Sequence, residues 1–122
     1  MILADTSVWI GHFREDEPGL RELLSQERIL IHPFVIGEIA CGHLPRRAEV
    51  LKDLRRIPFA VTASDDEVFS LLDEHRLWGR GIGWIDVHLL ASALLTGCRL
   101  WTHDEPLRKA ATDLKVQYSR LV

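Results

Sequence analysis

The chain has 122 residues, 47% of them apolar and 27% charged, which is the composition of an ordinary globular domain. A single domain over residues 1–122 is expected, and a chain of this size can bury a core. The formal charge of −3 argues against a protein that binds nucleic acid through bulk positive charge. If four of the 18 acids surround bound cations, however, the others nearly balance the 15 Lys and Arg, and RNA or DNA stays possible.

Cysteine usage and the terminal segment indicate a cytoplasmic protein. Cys41 and Cys98 lie in apolar or helical surroundings without a second cysteine nearby, so both are predicted to be small buried residues rather than disulfide partners. No basic segment precedes an apolar run at the N-terminus, and no signal peptide is predicted. The most apolar stretch, residues 29–41, is too short to span a bilayer, which needs about 20 residues.

In the first half of the chain, short apolar runs alternate with segments whose apolar residues recur at helical spacing. The predicted elements are a strand at 2–4, a helix at 7–13, a helix around 20–24, a strand at 29–31, a helix from 33 and a helix from 45. Thr6 or Ser7 is expected to cap the first helix. Pro33 and Pro45 suit first helical turns, where a missing N–H costs nothing.

The second half continues this alternation. The predicted elements are a strand at 59–61, a helix from 65 to 78, a helix from 86 to 96, a strand at 99–102, a helix from 105 to 114 and an edge strand at 116–118. Ser64 and Glu67 form a capping-box pattern, and the glycine-rich loop at 79–83 should be mobile. Strands that alternate with helices predict an α/β fold with a parallel sheet.

Four acids occupy positions that can converge at one edge of this sheet. Asp5 and Asp104 each follow a predicted strand, Asp86 opens a buried helix, and Glu38 lies near the start of another helix. The carboxyl ends of parallel strands and the N-termini of the following helices share one edge, where ligands bind in open α/β sheets. Taken singly, each acid could instead be a helix cap or a solvated residue, as is expected for Asp65, Asp66 and Asp73.

A cluster of carboxylates predicts a metal site. Neighbouring carboxylates repel one another, so they must take up protons or bind cations. Oxygen ligands of this kind suit Mg²⁺ or Mn²⁺. Such ions activate water and stabilise charge on a phosphate during its transfer.

The same acids lie in four motifs that resemble those of the PIN domain, most closely the VapC-type toxins of prokaryotic toxin–antitoxin pairs. The motifs are Asp5-Thr6-Ser7, Val35-Ile36-Gly37-Glu38-Ile39, Trp84-Ile85-Asp86-Val87-His88-Leu89-Leu90-Ala91 and Trp101-Thr102-His103-Asp104. They follow one another in the family's order over the whole chain, and none of the four acids is replaced.

This resemblance implies a small three-layer α/β/α sandwich with endoribonuclease activity that depends on Mg²⁺ or Mn²⁺. It implies that Asp5 and Asp86 bind metal directly, and that Glu38 and Asp104 hold a second ion or orient metal-bound water. It also implies three hydroxyls that bind the carboxylates or the scissile phosphate, those of Thr6, Ser7 and Thr102. Water activated by the metal, rather than a side chain, would attack the RNA phosphodiester. A homodimer and a small VapB-type antitoxin, which in many such pairs covers the acidic site, are further implications.

Contacts with substrate are less sharply defined by the sequence. Arg80, in the loop at 79–83, is the best single candidate for binding RNA, although the loop lacks the P-loop pattern. The predicted helix from 45 carries a basic face that could bind RNA phosphates or could be a solvated surface paired with Glu49 and Asp53. That face consists of Arg46, Arg47, Lys52, Arg55 and Arg56.

The histidines and tryptophans have simpler interpretations. The histidines show no zinc spacing, and packing or surface roles are favoured over a general base at His88 or His103. The tryptophans are Trp9, Trp78, Trp84 and Trp101. All are expected in the core or in a dimer interface, and the two that flank the loop at 79–83 could also stack on bases.

Two other functions remain open at this point. A phosphatase could use Asp5 as its nucleophile, but Ser7 occupies the position where such enzymes commonly carry a second aspartate. A catalytically silent module with the same fold could bind nucleic acid or protein. The intact set of four acids argues against this second alternative.

Overall fold

A computed structural model of the chain describes residues 1–119, which form three strands and seven helices. The strands are β1 (Ile2–Ala4), β2 (Ile29–Leu30) and β3 (Arg99–Trp101). The helices are α1 (Thr6–Glu15), α2 (Pro18–Ser25), α3 (Pro33–Cys41), α4 (Arg47–Leu54), α5 (Asp65–Glu74), α6 (Trp84–Thr96) and α7 (Glu105–Asp113). Among the residues described, no helix is both long enough and apolar enough to cross a membrane.

The strands form one parallel sheet in the order β2-β1-β3. Leu3 of the central strand lies opposite Leu30 on one side and Leu100 on the other. These side chains are all buried, which explains why the strands are continuous apolar runs rather than alternating patterns. The predicted α/β fold with a mainly parallel central sheet is confirmed.

The two additional strands predicted at 59–61 and 116–118 are wrong in extent. Each segment makes only an isolated parallel bridge, between Ile31 and Phe59 and between Leu100 and Gln117. Phe59 and Val61 keep about half of their surface exposed, at 53% and 51%. Because these side chains gain little burial, little free energy is available to extend the pairing with β2.

Helix starts differ from the predictions by one or two residues. Asp5, and not Thr6 or Ser7, caps α1, because its carboxylate accepts the Val8 N–H at 3.2 Å. Helix α4 begins at Arg47 rather than Pro45, since Arg46 adopts the left-handed backbone conformation with φ of 54°. The capping box of Ser64 and Glu67 and the start of α3 at Pro33 are as predicted.

Helix α5 ends at Glu74, four residues before the predicted end at Trp78. The chain reverses at Arg76, whose φ is 51°, and the Leu77 N–H then bonds to the Leu72 carbonyl at 3.0 Å. Leu77 is buried as expected, but it reaches the core from the loop that follows the helix.

Helix α6 forms the centre of the core, with every residue from 87 to 93 buried. It ends at Gly97, whose φ of 74° favours glycine. Cys98 is buried beside it, as predicted. Cys41 is instead exposed, because it occupies the surface side of the last turn of α3.

Candidate functional site

Two of the four acids begin helices at the carboxyl edge of the sheet. Asp5 directly follows β1 and caps α1, and its side chain is only 5% exposed. Asp104 lies beyond β3 and caps α7 by accepting the Leu107 N–H at 3.0 Å. The carboxylates therefore satisfy backbone donors that have no partner within the helix.

The other two acids lie on helices that reach the same edge. Asp86 is the third residue of α6, and its Oδ2 accepts the N–H of Gly83, the residue that caps this helix, at 3.1 Å. Glu38 lies on α3 and accepts a 2.6 Å hydrogen bond from Thr6 Oγ1. Thr6 follows Asp5 directly, so this bond brings Glu38 to the N-terminus of α1.

A network of hydroxyls fixes the carboxylate of Asp5. Ser7 Oγ donates to Asp5 Oδ1 at 2.5 Å, and Thr102 Oγ1 donates to Asp5 Oδ2. Thr102 Oγ1 also accepts the Asp104 N–H at 3.0 Å, and Ser7 Oγ accepts the His103 N–H at 2.9 Å. Two motifs that are distant in the sequence are thereby joined around Asp5. The backbone donors of His103 and Gly83 were not predicted, and no residue type in the sequence marks them.

Electrostatics show that the four acids form one cluster. The pKa of Asp86 is raised, first by burial and then by the negative charges of Asp104, Asp5 and Glu38. The hydrogen bond from Gly83 opposes this rise in the pKa. All three other carboxylates therefore lie within electrostatic reach of Asp86, and their negative charges destabilise the charged form of Asp86.

The donor chemistry of this cluster fits a hard divalent cation. Carboxylate and hydroxyl oxygens are the ligands that Mg²⁺ and Mn²⁺ prefer. Across residues 1–119, no three His, Cys, Asp or Glu side chains are arranged closely enough to hold one ion by themselves.

Arg80 lies away from the capping end of α7. Its Nη2 pairs with Oδ2 of Asp113, the last residue of α7, at 2.8 Å, whereas Asp104 caps the first turn of that helix. The loop that carries Arg80 has two left-handed glycines, with φ of 71° at Gly79 and 79° at Gly81. One guanidinium nitrogen is thus engaged in the free protein, and the other donors of Arg80 keep their capacity to bind.

The basic face of α4 divides into paired and free positions. Arg46 pairs with Glu49, and the Arg47 guanidinium donates two bonds to the Ala40 carbonyl at 3.1 and 3.0 Å. Three exposed cations form no ion pair with any described residue, namely Lys52, Arg55 and Arg56. Arg46 and Arg47 therefore make structural contacts. Lys52, Arg55 and Arg56, toward the end of α4, make no ion pair with a described residue.

Two buried histidines contribute to packing. His32 caps α3 through Nδ1, which accepts the Phe34 N–H at 3.0 Å, and burial together with the nearby His88 lowers its pKa to about 4. His88 is 2% exposed and its Nε2 lies 3.2 Å from Asp65 Oδ1. His103 instead lies on the surface, with Nε2 at 3.4 Å from Glu17. Nothing in the sequence indicated the contact between His32 and His88.

The tryptophans divide between the core and the surface. Trp9 and Trp101 are buried, whereas Trp78 and Trp84 are exposed. The Trp84 ring lies 4.8 Å from Phe69 and 4.9 Å from His88, and Phe34 lies 4.8 Å from His88. We call Phe34, Phe69 and Trp84 the aromatic cluster. Its members lie on three helices, and two of these, α3 and α6, also carry Glu38 and Asp86.

The family model of the PIN domain matches residues 2–113 of this chain. The chain belongs to the PIN-domain family. All four acids of the cluster fall inside the matched residues. The match therefore includes both strands that precede Asp5 and Asp104 and both helices that carry Glu38 and Asp86.

Curated relatives of this PIN domain include Ribonuclease VapC32 of Mycobacterium tuberculosis, from strains CDC 1551 and H37Rv. In each strain it is 45% identical over 114 residues, which cover 93% of this chain and 92% of the relative. Among solved structures, PAE2754 from Pyrobaculum aerophilum superposes with a TM-score of 0.58 over 95% of this chain and 90% of its own. At 18% identity, this second likeness supports the fold alone.

Proposed function

We propose that the protein is a metal-dependent endoribonuclease and the toxin of a VapBC-type toxin–antitoxin pair. The observation that carries this proposal is the convergence of Asp5, Glu38, Asp86 and Asp104 at one sheet edge. The 45% identity with a protein named a ribonuclease supports RNA as the substrate. PIN-domain ribonucleases generally use a divalent metal, and the carboxylate cluster supports Mg²⁺, with Mn²⁺ as a substitute.

Within this proposal, Asp5 and Asp86 bind the metal, and Glu38 and Asp104 hold a second ion or orient water. The bound metal would lower the pKa of water and stabilise negative charge on the phosphate. The residues of the chain would orient the ligands, because Ser7 and Thr102 leave the Asp5 carboxylate little freedom to rotate. The Gly83 N–H restrains Asp86 in the same way. Such preorganisation lowers the cost of reaching the transition state.

Thr6, Ser7 and Thr102 act as supporting groups in the proposed site. In the free protein each hydroxyl already binds a carboxylate, Thr6 that of Glu38 and the other two that of Asp5. Arg80 is the proposed RNA contact, and the free cations at the end of α4 could bind RNA backbone more loosely. No residue of the chain is required as a covalent nucleophile.

The proposed partners are RNA, a VapB-type antitoxin and a second copy of the chain, in the cytoplasm. The aromatic cluster supports the homodimer, because Phe34, Phe69 and Trp84 expose 37%, 54% and 39% of their surface. Large aromatic side chains that remain exposed side by side commonly mark protein interfaces. The same arrangement would place the acid clusters of both copies near the interface.

Cleavage of total cellular RNA by the purified protein, freed of any partner, tests the proposal. Parallel reactions with Mg²⁺, Mn²⁺ or EDTA are followed by mapping of new 5′ ends. Asp86→Asn is the inactive control, and Asp53→Asn, an exposed aspartate on α4, is the matched neutral control. We expect discrete cuts that require metal and disappear only in Asp86→Asn. A folded protein that makes no cuts in any reaction would favour the catalytically silent binding module instead.

A further inference from the structure

An apolar groove with acidic residues in its lining runs between α5 and α6, outside the acid cluster. Its cavity measures about 350 Å³. Its lining includes Leu71, Leu94 and Leu95, together with Asp66 and Glu67 from the first turn of α5 and Glu74 from the last turn. Leu94 and Leu95 are 41% and 46% exposed, so the groove is open to an incoming side chain. We call this surface the α5–α6 groove.

Helix α5 carries more acids than the fold uses, although Glu67 accepts the Ser64 N–H in the capping box and Asp65 lies beside His88. The ten residues of α5 include five acids and no Lys or Arg. Asp66 and Glu67 lie in the first turn, where the helix dipole favours negative charge. Asp73 and Glu74 lie in the last turn, where the dipole disfavours it, and neither makes an ion pair with a described residue.

Glu74 differs from the acid that ends α7. Helix α7 also ends in an acid, Asp113, but that carboxylate is paired with Arg80 at 2.8 Å. Glu74 makes no such pair with any residue from 1 to 119, and it lies beside the exposed leucines of the groove. A charge that costs local stability next to an exposed apolar surface indicates a binding role that compensates for it.

The spacing of Glu67 and Glu74 indicates the spacing of positive charges that a binding partner would need. Glu67 and Glu74 are seven residues apart on α5, which corresponds to about 10 Å along the helix axis. On a partner helix, Lys or Arg side chains at positions i and i+7 are separated by the same distance. Apolar residues at i+3 and i+4 then lie between them on the same face. These would cover Leu71, Leu94 and Leu95.

We propose that the α5–α6 groove binds a basic amphipathic helix of another protein. The helix carries Lys or Arg at i and i+7 to meet the carboxylates and Leu or Ile at i+3 and i+4 to cover the leucines. This inference does not depend on ribonuclease activity, because no residue of the groove belongs to the acid cluster. It adds to the protein an acidic docking surface with a defined charge spacing.

A labelled synthetic peptide tests the proposal with the full-length protein. The probe is a capped 14-residue helix on an Ala and Gln background, with Lys at i and i+7 and Leu at i+3 and i+4. Its affinity is measured by fluorescence anisotropy in EDTA at low and high salt. The first control peptide replaces both Lys with Glu, and the second moves the second Lys to i+5, off the binding face.

The structure predicts opposite effects of Glu74→Gln on stability and on binding. The substitution should raise Tm, because it removes a negative charge from the C-terminal turn of α5. It should nevertheless weaken binding of the peptide by about two- to five-fold. Leu95→Gln, at an exposed position, should weaken it by about ten-fold while the fold is retained. Asp53→Asn is the matched control, because it neutralises an acid in the last turn of α4, between the basic residues Lys52 and Arg55.

Binding of the Lys peptide alone, weaker at high salt and reduced in Glu74→Gln and Leu95→Gln, supports the proposal. Equal binding of all three peptides, no binding, or unchanged binding by both variants overturns it. Sedimentation of the unliganded variants excludes a second copy of the chain as the occupant. If Leu95→Gln converts a dimer into a monomer, the groove is a self-interface and the proposal is wrong.

Discussion

Thr6 and Glu38 are 32 residues apart in the chain and are joined by a 2.6 Å hydrogen bond from hydroxyl to carboxylate. The bond connects the first turn of α1 to α3 across the carboxyl edge of the sheet. Since Thr6 directly follows Asp5, the same short segment positions two of the four acids. The orientation of Glu38 therefore depends on a residue that carries no charge.

Replacement of Thr6 by Val should raise the activation free energy of RNA cleavage by more than it lowers the free energy of unfolding. Loss of one hydrogen bond of this kind costs about 0.5–1.5 kcal/mol, which corresponds to a rate decrease of about two- to thirteen-fold if Glu38 loses its orientation. Thr6→Ser should restore the rate. Thr112→Val is the control, because among residues 1–119 that hydroxyl bonds to Arg108 and Gln117, on the α7 side. Full activity of Thr6→Val would show that Glu38 needs no orientation.

Asp86→Asn should stabilise the metal-free protein at neutral pH. The pKa of Asp86 is raised in the folded state, so folding binds protons, and stability falls as the pH rises through that pKa. Asparagine keeps an oxygen to accept the Gly83 N–H but carries no charge. In EDTA at pH 7 the variant should therefore have the higher Tm, and the difference should shrink in acid.

Added Mn²⁺ should give the wild-type protein a higher Tm than Asp86→Asn, which reverses the order expected in EDTA. The cation is expected to bind the charged wild-type cluster more tightly than the variant, and a ligand specific for the folded state raises Tm. Thermal denaturation in EDTA and in Mn²⁺ measures both effects. A wild-type Tm that exceeds that of Asp86→Asn in EDTA at pH 7 would contradict the repulsion inferred for the cluster.

His32 should reduce stability in weakly acidic solution. Its folded pKa of about 4 lies below the ordinary value of 6.5, so its contribution is complete above pH 6.5 and is lost as the pH falls toward 4. The loss amounts to about 3 kcal/mol, from the difference between the two pKa values.

His32→Asn isolates this effect. Asparagine can still accept the Phe34 N–H as the cap of α3, but it does not titrate in this range. Urea unfolding of both proteins between pH 7 and pH 4 gives the difference in unfolding free energy. The stability difference should change in favour of the variant as the pH falls. A difference that stays constant would mean that the pKa of His32 is the same in the folded and unfolded states.

Arg80→Ala should weaken RNA binding. It should also reduce the salt dependence of binding by the amount that corresponds to about one released counterion. Asp113→Asn should leave binding unchanged or strengthen it, because it frees the Arg80 guanidinium from its 2.8 Å partner. Arg21→Ala is a matched control, since Arg21 also pairs with an aspartate, Asp16, at 2.8 Å. Equal losses in Arg80→Ala and Asp113→Asn would show that the pair holds the loop and does not contact RNA.

Local rules account for the positions of two of the four acids, whereas Glu38 and Asp86 are singled out by the resemblance to the PIN domain. An apolar run followed by Asp predicts a strand and a helix cap, and both Asp5 and Asp104 have that arrangement in the structure. The parallel order then requires that they share one edge. The fold class could be predicted for this reason, and the functional role of the four acids stays a prediction.

Contacts between distant residues could not be predicted in the same way. The partner of Arg80 is Asp113, 33 residues away, and nothing in the sequence distinguishes this acid from the other acids of the chain. The length of β-pairing at 59–61 depends on burial that only the tertiary structure determines, and Phe59 stays exposed. The end of α5 depends on a left-handed Arg76, a conformation that its residue type does not favour.

Diffraction from crystals soaked in Mn²⁺, recorded for its anomalous signal, tests most directly whether the four acids form a cation site. We expect a peak within metal-ligand distance of the carboxylates of Asp5 and Asp86, about 2.0–2.3 Å from their oxygens. In crystals of Asp86→Asn the peak should be weakened or absent while the fold is unchanged. A strong Mn²⁺ peak elsewhere, or none beside Asp5 and Asp86, would contradict a metal-dependent mechanism at this cluster.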